Sequence, residues 1–139
     1  MFIQPCFIRK NTKDLRHKLE DIGYKLNIYD EGLDKYLFVE RTTYISAPIV
    51  YNSVARSYID CNENEELFLA LASLRNDSDD KQWFIATQDC YAETYEGTFN
   101  VAFRENEWVF NEDENSHPSE LPNLFRKATK EEIIEHFTK

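Results

Sequence analysis

Apolar residues recur with two different periods along this chain, and the switch between them lays out an alternating plan of strands and helices. Residues 2–9 (FIQPCFIR) read as a strand. Leu15, Leu19 and Ile22 then follow at i, i+4 and i+7, the stripe of an amphipathic helix. Asn11 with Asp14 three residues on resembles a capping box, and Gly23 stands where a helix end favours a left-handed residue. The first helix is therefore predicted over 12–22.

Period two returns in Tyr24–Tyr29, in YLFV (36–39) and in TTYIS (42–46), with a turn at Asp30-Glu31-Gly32 and Pro48 limiting the last. Residues 49–60 continue in the same style and end in the strand SYID. In CNENEELFLALASLR, Asn62 and Glu65 form a second capping box. Leu67, Phe68, Leu69, Ala70, Leu71, Ala72 and Leu74 are then apolar nearly all round, which predicts a buried helix over 63–75. After the turn Asp77–Asp80, residues 82–88, 94–103 and 107–110 read as strands, with Gly97 marking a bulge or turn. Residues 111–122 read as a polar loop holding two prolines. Thr129 and Glu132 then open a helix over 130–137 carrying Ile133, Ile134 and Phe137.

The pattern predicts one α+β domain over 1–139: a mixed or antiparallel sheet packed by two main helices, with a short C-terminal helix. A faint echo between FIRKNTKDLRHKLEDIGYKLNI and YIDCNENEELFLALASLRNDSDDKQWFI, each strand–cap–helix–turn–strand, allows a ferredoxin-like sandwich.

Composition adds the compartment. Ten Phe, eight Tyr and two Trp in 139 residues supply a core, and there is no apolar run of the length that spans a bilayer. The N-terminus lacks the basic and apolar regions of a secretory signal. Cys6, Cys61 and Cys90 form an odd, unspaced set that suits reduced thiols and a cytoplasmic location.

Charge changes the picture most. The formal net charge is −10, but residues 61–120 alone hold fifteen Asp/Glu against three Lys/Arg, a net of −12. Within them, Glu105, Glu107, Glu112, Asp113, Glu114 and Glu120 surround Trp108-Val109-Phe110, and no Lys or Arg lies between Arg104 and Arg126. Such a surface repels duplex nucleic acid and anionic membranes and favours a basic protein surface.

Competing chemistry is poorly supported. Asp77, Asp79 and Asp80 lack the continuing acidic ladder of a calcium loop. No CxxC, HxxxH or HExxH spacing offers a zinc site among His17, His117, His136 and the cysteines. Cys90 is flanked by Asp89, Glu93 and Glu96, a setting that disfavours the thiolate a nucleophile needs. No Gly-rich phosphate loop or nucleophile elbow occurs. Tyr29, Tyr36, Tyr44, Tyr51 and Tyr58 could stack on single-stranded bases, but sheet packing accounts for them more simply.

The sequence thus predicts no metal, no cofactor and, on balance, no catalysis. The favoured function is a small acidic module docking on a basic protein through Glu105, Glu107, Glu112, Asp113 and Glu114, with Trp108 or Phe110 as apolar anchor. A nucleic-acid mimic that inhibits a nuclease or defence system, of the type phages direct at restriction or CRISPR nucleases, is the special case. One alternative is a self-associating subunit, a homodimer in its simplest form, whose basic first helix (Lys13, Arg16, His17, Lys18) meets the acidic half of a second copy. The other is an enzyme whose site is assembled without a readable motif.

Overall fold

The computed structural model describes residues 2–27, 36–40, 42–47, 58–93 and 96–138. Its order is β1 (Cys6–Ile8), α1 (Lys13–Ile22), β2 (Lys25–Asn27), β3 (Tyr36–Glu40), β4 (Thr43–Ala47), β5 (Ile59–Asp60), α2 (Glu65–Ala72), β6 (Gln82–Ala86), β7 (Cys90–Glu93), β8 (Phe99–Phe103), β9 (Trp108–Asn111), α3 (His117–Glu120), β10 (Phe125–Lys127) and α4 (Lys130–Phe137). The expected turn at Asp30–Gly32, Tyr29, Tyr51 and most of the expected strand 49–60 lie outside the described residues. The class is α+β, with mixed and antiparallel sheets.

By internal contacts the chain forms two compact units, Met1–Ser78 with Lys130–Lys139, and Asp79–Thr129. The first is built on a five-stranded sheet of order β2-β4-β3-β1-β5. β1 lies antiparallel to β3 and parallel to β5, and β2 is parallel to β4. The side chains of Cys6, Ile8, Leu37 and Val39 are fully buried. α2 packs against β1, α1 and α4. Leu67, Phe68, Ala70, Leu71 and Ala72 on it are all buried, as expected of a helix apolar all round. Leu15 and Leu19 seal the inner face of α1.

The N-caps of α1 and α2 differ from those predicted, while Gly23 ends α1 as expected. Thr12, not Asn11, caps α1: its hydroxyl accepts the Leu15 N–H at 3.1 Å, while the Asn11 carboxamide oxygen accepts from the Arg16 guanidinium. Asn64, not Asn62, caps α2, accepting the Leu67 N–H at 3.1 Å and donating to the Phe137 carbonyl at 2.7 Å. One side chain thereby fixes the start of α2 and the end of α4. The helix closes at Ala72, earlier than predicted, where the Ser73 hydroxyl donates to the Leu69 carbonyl at 2.8 Å. Gly23 ends α1 at φ 127°, its N–H on the Leu19 and Glu20 carbonyls, a backbone that L side chains rarely adopt. Thr12→Ala is expected to cost about 0.5–2 kcal/mol, read by denaturant titration.

The second unit contains a three-stranded antiparallel sheet, β10-β6-β9, and the hairpin β7-β8. Its core is Phe84, Ala86, Cys90 and Phe125, joined by Phe103, Val109 and Leu124. A ferredoxin-like sandwich would return the strand after the second helix to the first sheet. Instead β6 pairs with β9 and β10, so that arrangement is not formed. Three further elements differ from expectation. β7 and β10 are strands the pattern did not show, and the expected loop 111–122 contains α3. Gly97, at φ 78°, is in the turn between β7 and β8, while the register irregularity falls at Cys90/Tyr91.

Candidate protein-docking surface

β9 positions the aromatic pair that stood out in the sequence. Its register sets Phe110 opposite Trp83 and Trp108 opposite Ile85, and residues paired across a sheet share a face. The rings accordingly cluster: Trp83 to Phe110 is 5.1 Å between centroids, and Trp83 to Trp108 is 6.4 Å, both tilted. Such pairs add about 0.5–1.5 kcal/mol beyond area burial. Trp83 and Trp108 are half-buried, whereas Phe110 is 38% exposed. The opposite face carries Phe84 and Val109 into the unit's core.

The acids cluster beyond the two ends of the strand. At one end Asn106 adopts φ 70° and the Glu107 N–H closes a turn on the Arg104 carbonyl at 3.0 Å. The Asp89 carboxylate accepts the Glu105 N–H at 2.8 Å. The side chains of Glu105 and Glu107 are left at the surface. At the other end a polar network holds the chain. Asn111 is fully buried. Its amide donates to the Asp79 carbonyl at 2.9 Å, and its oxygen accepts from Ser119 through both N–H (3.2 Å) and hydroxyl (3.0 Å). The Ser116 hydroxyl accepts from the Glu112 and Asp113 N–H groups at 3.0 and 3.2 Å, and the Asp113 carboxylate accepts the Asn115 N–H at 2.9 Å. The four residues of β9 put five steps between Glu107 and Glu112, roughly 17 Å at about 3.4 Å per residue.

The acids therefore divide by role. Glu112 is engaged by the Lys81 ammonium and Asp113 shapes its own turn. Glu105, Glu107 and Glu114 are exposed, with side chains turned to solvent. Asn111, Ser116 and Lys81 did not stand out in the sequence. Asn111 and Ser116 are ordinary loop residue types, and Lys81 lies thirty-one positions from its partner.

The proposed basic face is weaker than its residues suggest. Lys13, His17 and Lys18 are exposed on α1, but Asp14, Glu20 and Asp21 are exposed among them. His17 is 3.9 Å from Glu20, and Arg16 folds back on Asn11. Three Lys/Arg against three Asp/Glu leave the helix formally neutral.

Cys6, Cys61 and Cys90 are all free and buried. Burial, with Cys61 beside it, pushes the Cys6 thiol well above the usual range, and Cys90 lies in the second unit's core. Thiol titration of the unfolded, unreduced protein is expected to count three, and a count of one would contradict free thiols. Among the described residues, no group of three or more His, Cys, Asp or Glu could hold a metal ion. No helix there is long and apolar enough to cross a membrane. No protein-family model, curated protein or solved structure matches the chain.

Proposed function

We propose that this protein is a small binding module whose second unit docks an acidic surface on a basic protein. The observation that carries the reading is the charge of that unit. Residues 79–129 hold eleven Asp/Glu against four Lys/Arg. Two of those four cations, Lys81 and Lys127, are already matched to Glu112 and, at 2.9 Å, to Asp79. Phe110, exposed beside Trp83 and Trp108, is of the aromatic type that anchors interfaces.

Fixed carboxylates on a compact surface suit a groove lined with Lys and Arg. The nucleic-acid-mimic reading is the case in which that groove evolved for phosphates, as in a nuclease or defence protein. It makes a separate demand, that duplex DNA and this protein exclude one another from the partner. The test is capture by the immobilised protein from the cells that express it, washed at low salt and again near 1 M, where the Debye length falls to about 3 Å. A partner released by salt supports docking by charge, and one also displaced by duplex DNA supports mimicry. Retention through the high-salt wash and through DNA competition contradicts both.

A further inference from the structure

The five-stranded sheet of the first unit has two unlike faces. Cys6, Ile8, Leu37 and Val39 point one way and are sealed at 0% exposure. Phe7 and Phe38 point the other way, stacked at 4.8 Å. The register then brings charged and polar groups to one end of that second face. Ile8 pairs with Leu37, and Phe7 with Asp60. One step on, Arg9 lies between Tyr36 and Asn62, and the Arg9 N–H reaches the Asn62 carbonyl at 2.5 Å. A cleft of 430 Å³ opens here, lined by Arg9, Tyr36, Asn62 and Glu63. That volume falls at the lower end of the range of ligand pockets, about 300–1,000 Å³.

We propose that this cleft binds a small zwitterion of the α-amino-acid class, its carboxylate on Arg9, its ammonium on Glu63 and its side chain along the Tyr36 ring. The guanidinium is held in place beforehand. Its Nε lies 3.2 Å from both Asp60 oxygens and its Nη2 2.7 Å from one, which fixes the plane and leaves the Nη1 donors uncommitted to Asp60. The same guanidinium is 5.9 Å from the Phe7 and Tyr36 ring centres. Asp60 also accepts the Asn62 N–H at 2.9 Å, so one carboxylate sets both walls of the cleft. Asn62, at φ 53°, turns the chain so that Glu63 joins the lining.

The charges select the ligand. A phosphate dianion would face Asp60 and Glu63 with one guanidinium in its favour, since the neighbouring Lys10 is engaged by Glu65 at 2.6 Å. A plain cation would meet Glu63 but leave the Arg9 edge that Asp60 does not hold without an acceptor. A molecule bearing both charges satisfies both sides, and the half-exposed Tyr36 ring favours an aromatic side chain. The site lies wholly in the first unit and shares no residue with the docking surface proposed on the second.

The test uses three probes on the full chain, followed by backbone amide chemical shifts: L-phenylalanine, phenylpropionate, which lacks the ammonium, and phenethylamine, which lacks the carboxylate. Phenylalanine is expected to shift the amides of Arg9, Asn62 and Glu63 saturably, and each truncated probe to bind at least about tenfold more weakly, the scale of one charge-assisted hydrogen bond. Glu63→Gln, an exposed change, is expected to keep the remaining spectrum and to erase the difference between phenylalanine and phenylpropionate. Shifts of equal size from all three probes, no saturable shift from phenylalanine, or a Glu63→Gln protein that still discriminates would each overturn the proposal.

Discussion

Leu71→Ala is expected to lower the unfolding free energy by about 2–5 kcal/mol. Leu71 is at 0% exposure on a helix whose other buried residues are Leu67, Phe68, Ala70 and Ala72. That helix meets β1, α1 and α4, so neighbours on several sides would have to move to fill the space left by the lost side chain. Close-packed surroundings relax only in part, and the residual cavity adds to the lost transfer energy. Against a typical domain stability of about 5–15 kcal/mol, the loss is large. Denaturant titration with an unchanged m-value would measure it as a shift in midpoint. A loss below about 1 kcal/mol would mean that α2 does not organise the first unit. The effect is expected to exceed that of Thr12→Ala, because a cap at an exposed helix end can be replaced by water and a buried side chain cannot.

The three longer helices were legible because a sustained 3.6-residue period, or an apolar run of that length, fits few structures besides a helix, whereas the single turn of α3 lies in a segment that reads as loop. The N-caps of α1 and α2 were not legible. Asn11 and Thr12 are both capping residue types, as are Asn62 and Asn64, and periodicity identifies a helix face without identifying its first residue. Backbone geometry decides: Thr12 is extended at φ −120° and ψ 157°, whereas Asn62, at φ 53°, belongs to the turn before the helix. β10 was not legible because its Phe-Arg-Lys carries one apolar residue and becomes a strand only by pairing with β6, about forty residues away. Distance in sequence also undid the ferredoxin-like echo. Two similar strand–helix–strand stretches do not specify which sheet the final strand joins, and β6 joins one with β9 and β10.

The candidate surface was legible in composition and not in pairing. A deficit of positive charge can be counted along a sequence, but Lys81 engaging Glu112, Ser116 holding the turn and Asn111 buried beneath it depend on contacts between strands and loops. The apparent basic helix failed for a related reason. Lys13, Arg16, His17 and Lys18 read as a cluster when counted alone, and the helical turn sets Asp14, Glu20 and Asp21 among them. Self-association through that helix consequently has less electrostatic support than the sequence suggested.

These pairings determine which substitutions can test docking. Reversing Glu112 would break its pair with Lys81, and reversing Asp113 would remove the acceptor for the Asn115 N–H, so either could disturb the loop rather than the interface. Glu105→Lys, Glu107→Lys and Glu114→Lys together change exposed side chains and move the second unit's formal charge from −7 to −1. Electrostatic steering raises association rates by about 10–10³-fold. The triple variant is therefore expected to associate with a captured partner at least about tenfold more slowly at low salt, with a flattened salt dependence and an unchanged denaturation midpoint. Phe110→Ala should act on the other rate: it removes an exposed anchor without removing charge, so dissociation is expected to quicken while the salt slope stays the same. Stopped-flow or surface-binding kinetics on the two variants separates the contributions. If the triple reversal leaves association unchanged at low salt, the carboxylates at the two ends of β9 are a solvated surface, and the partner, if Phe110→Ala still weakens binding, recognises the aromatic cluster alone.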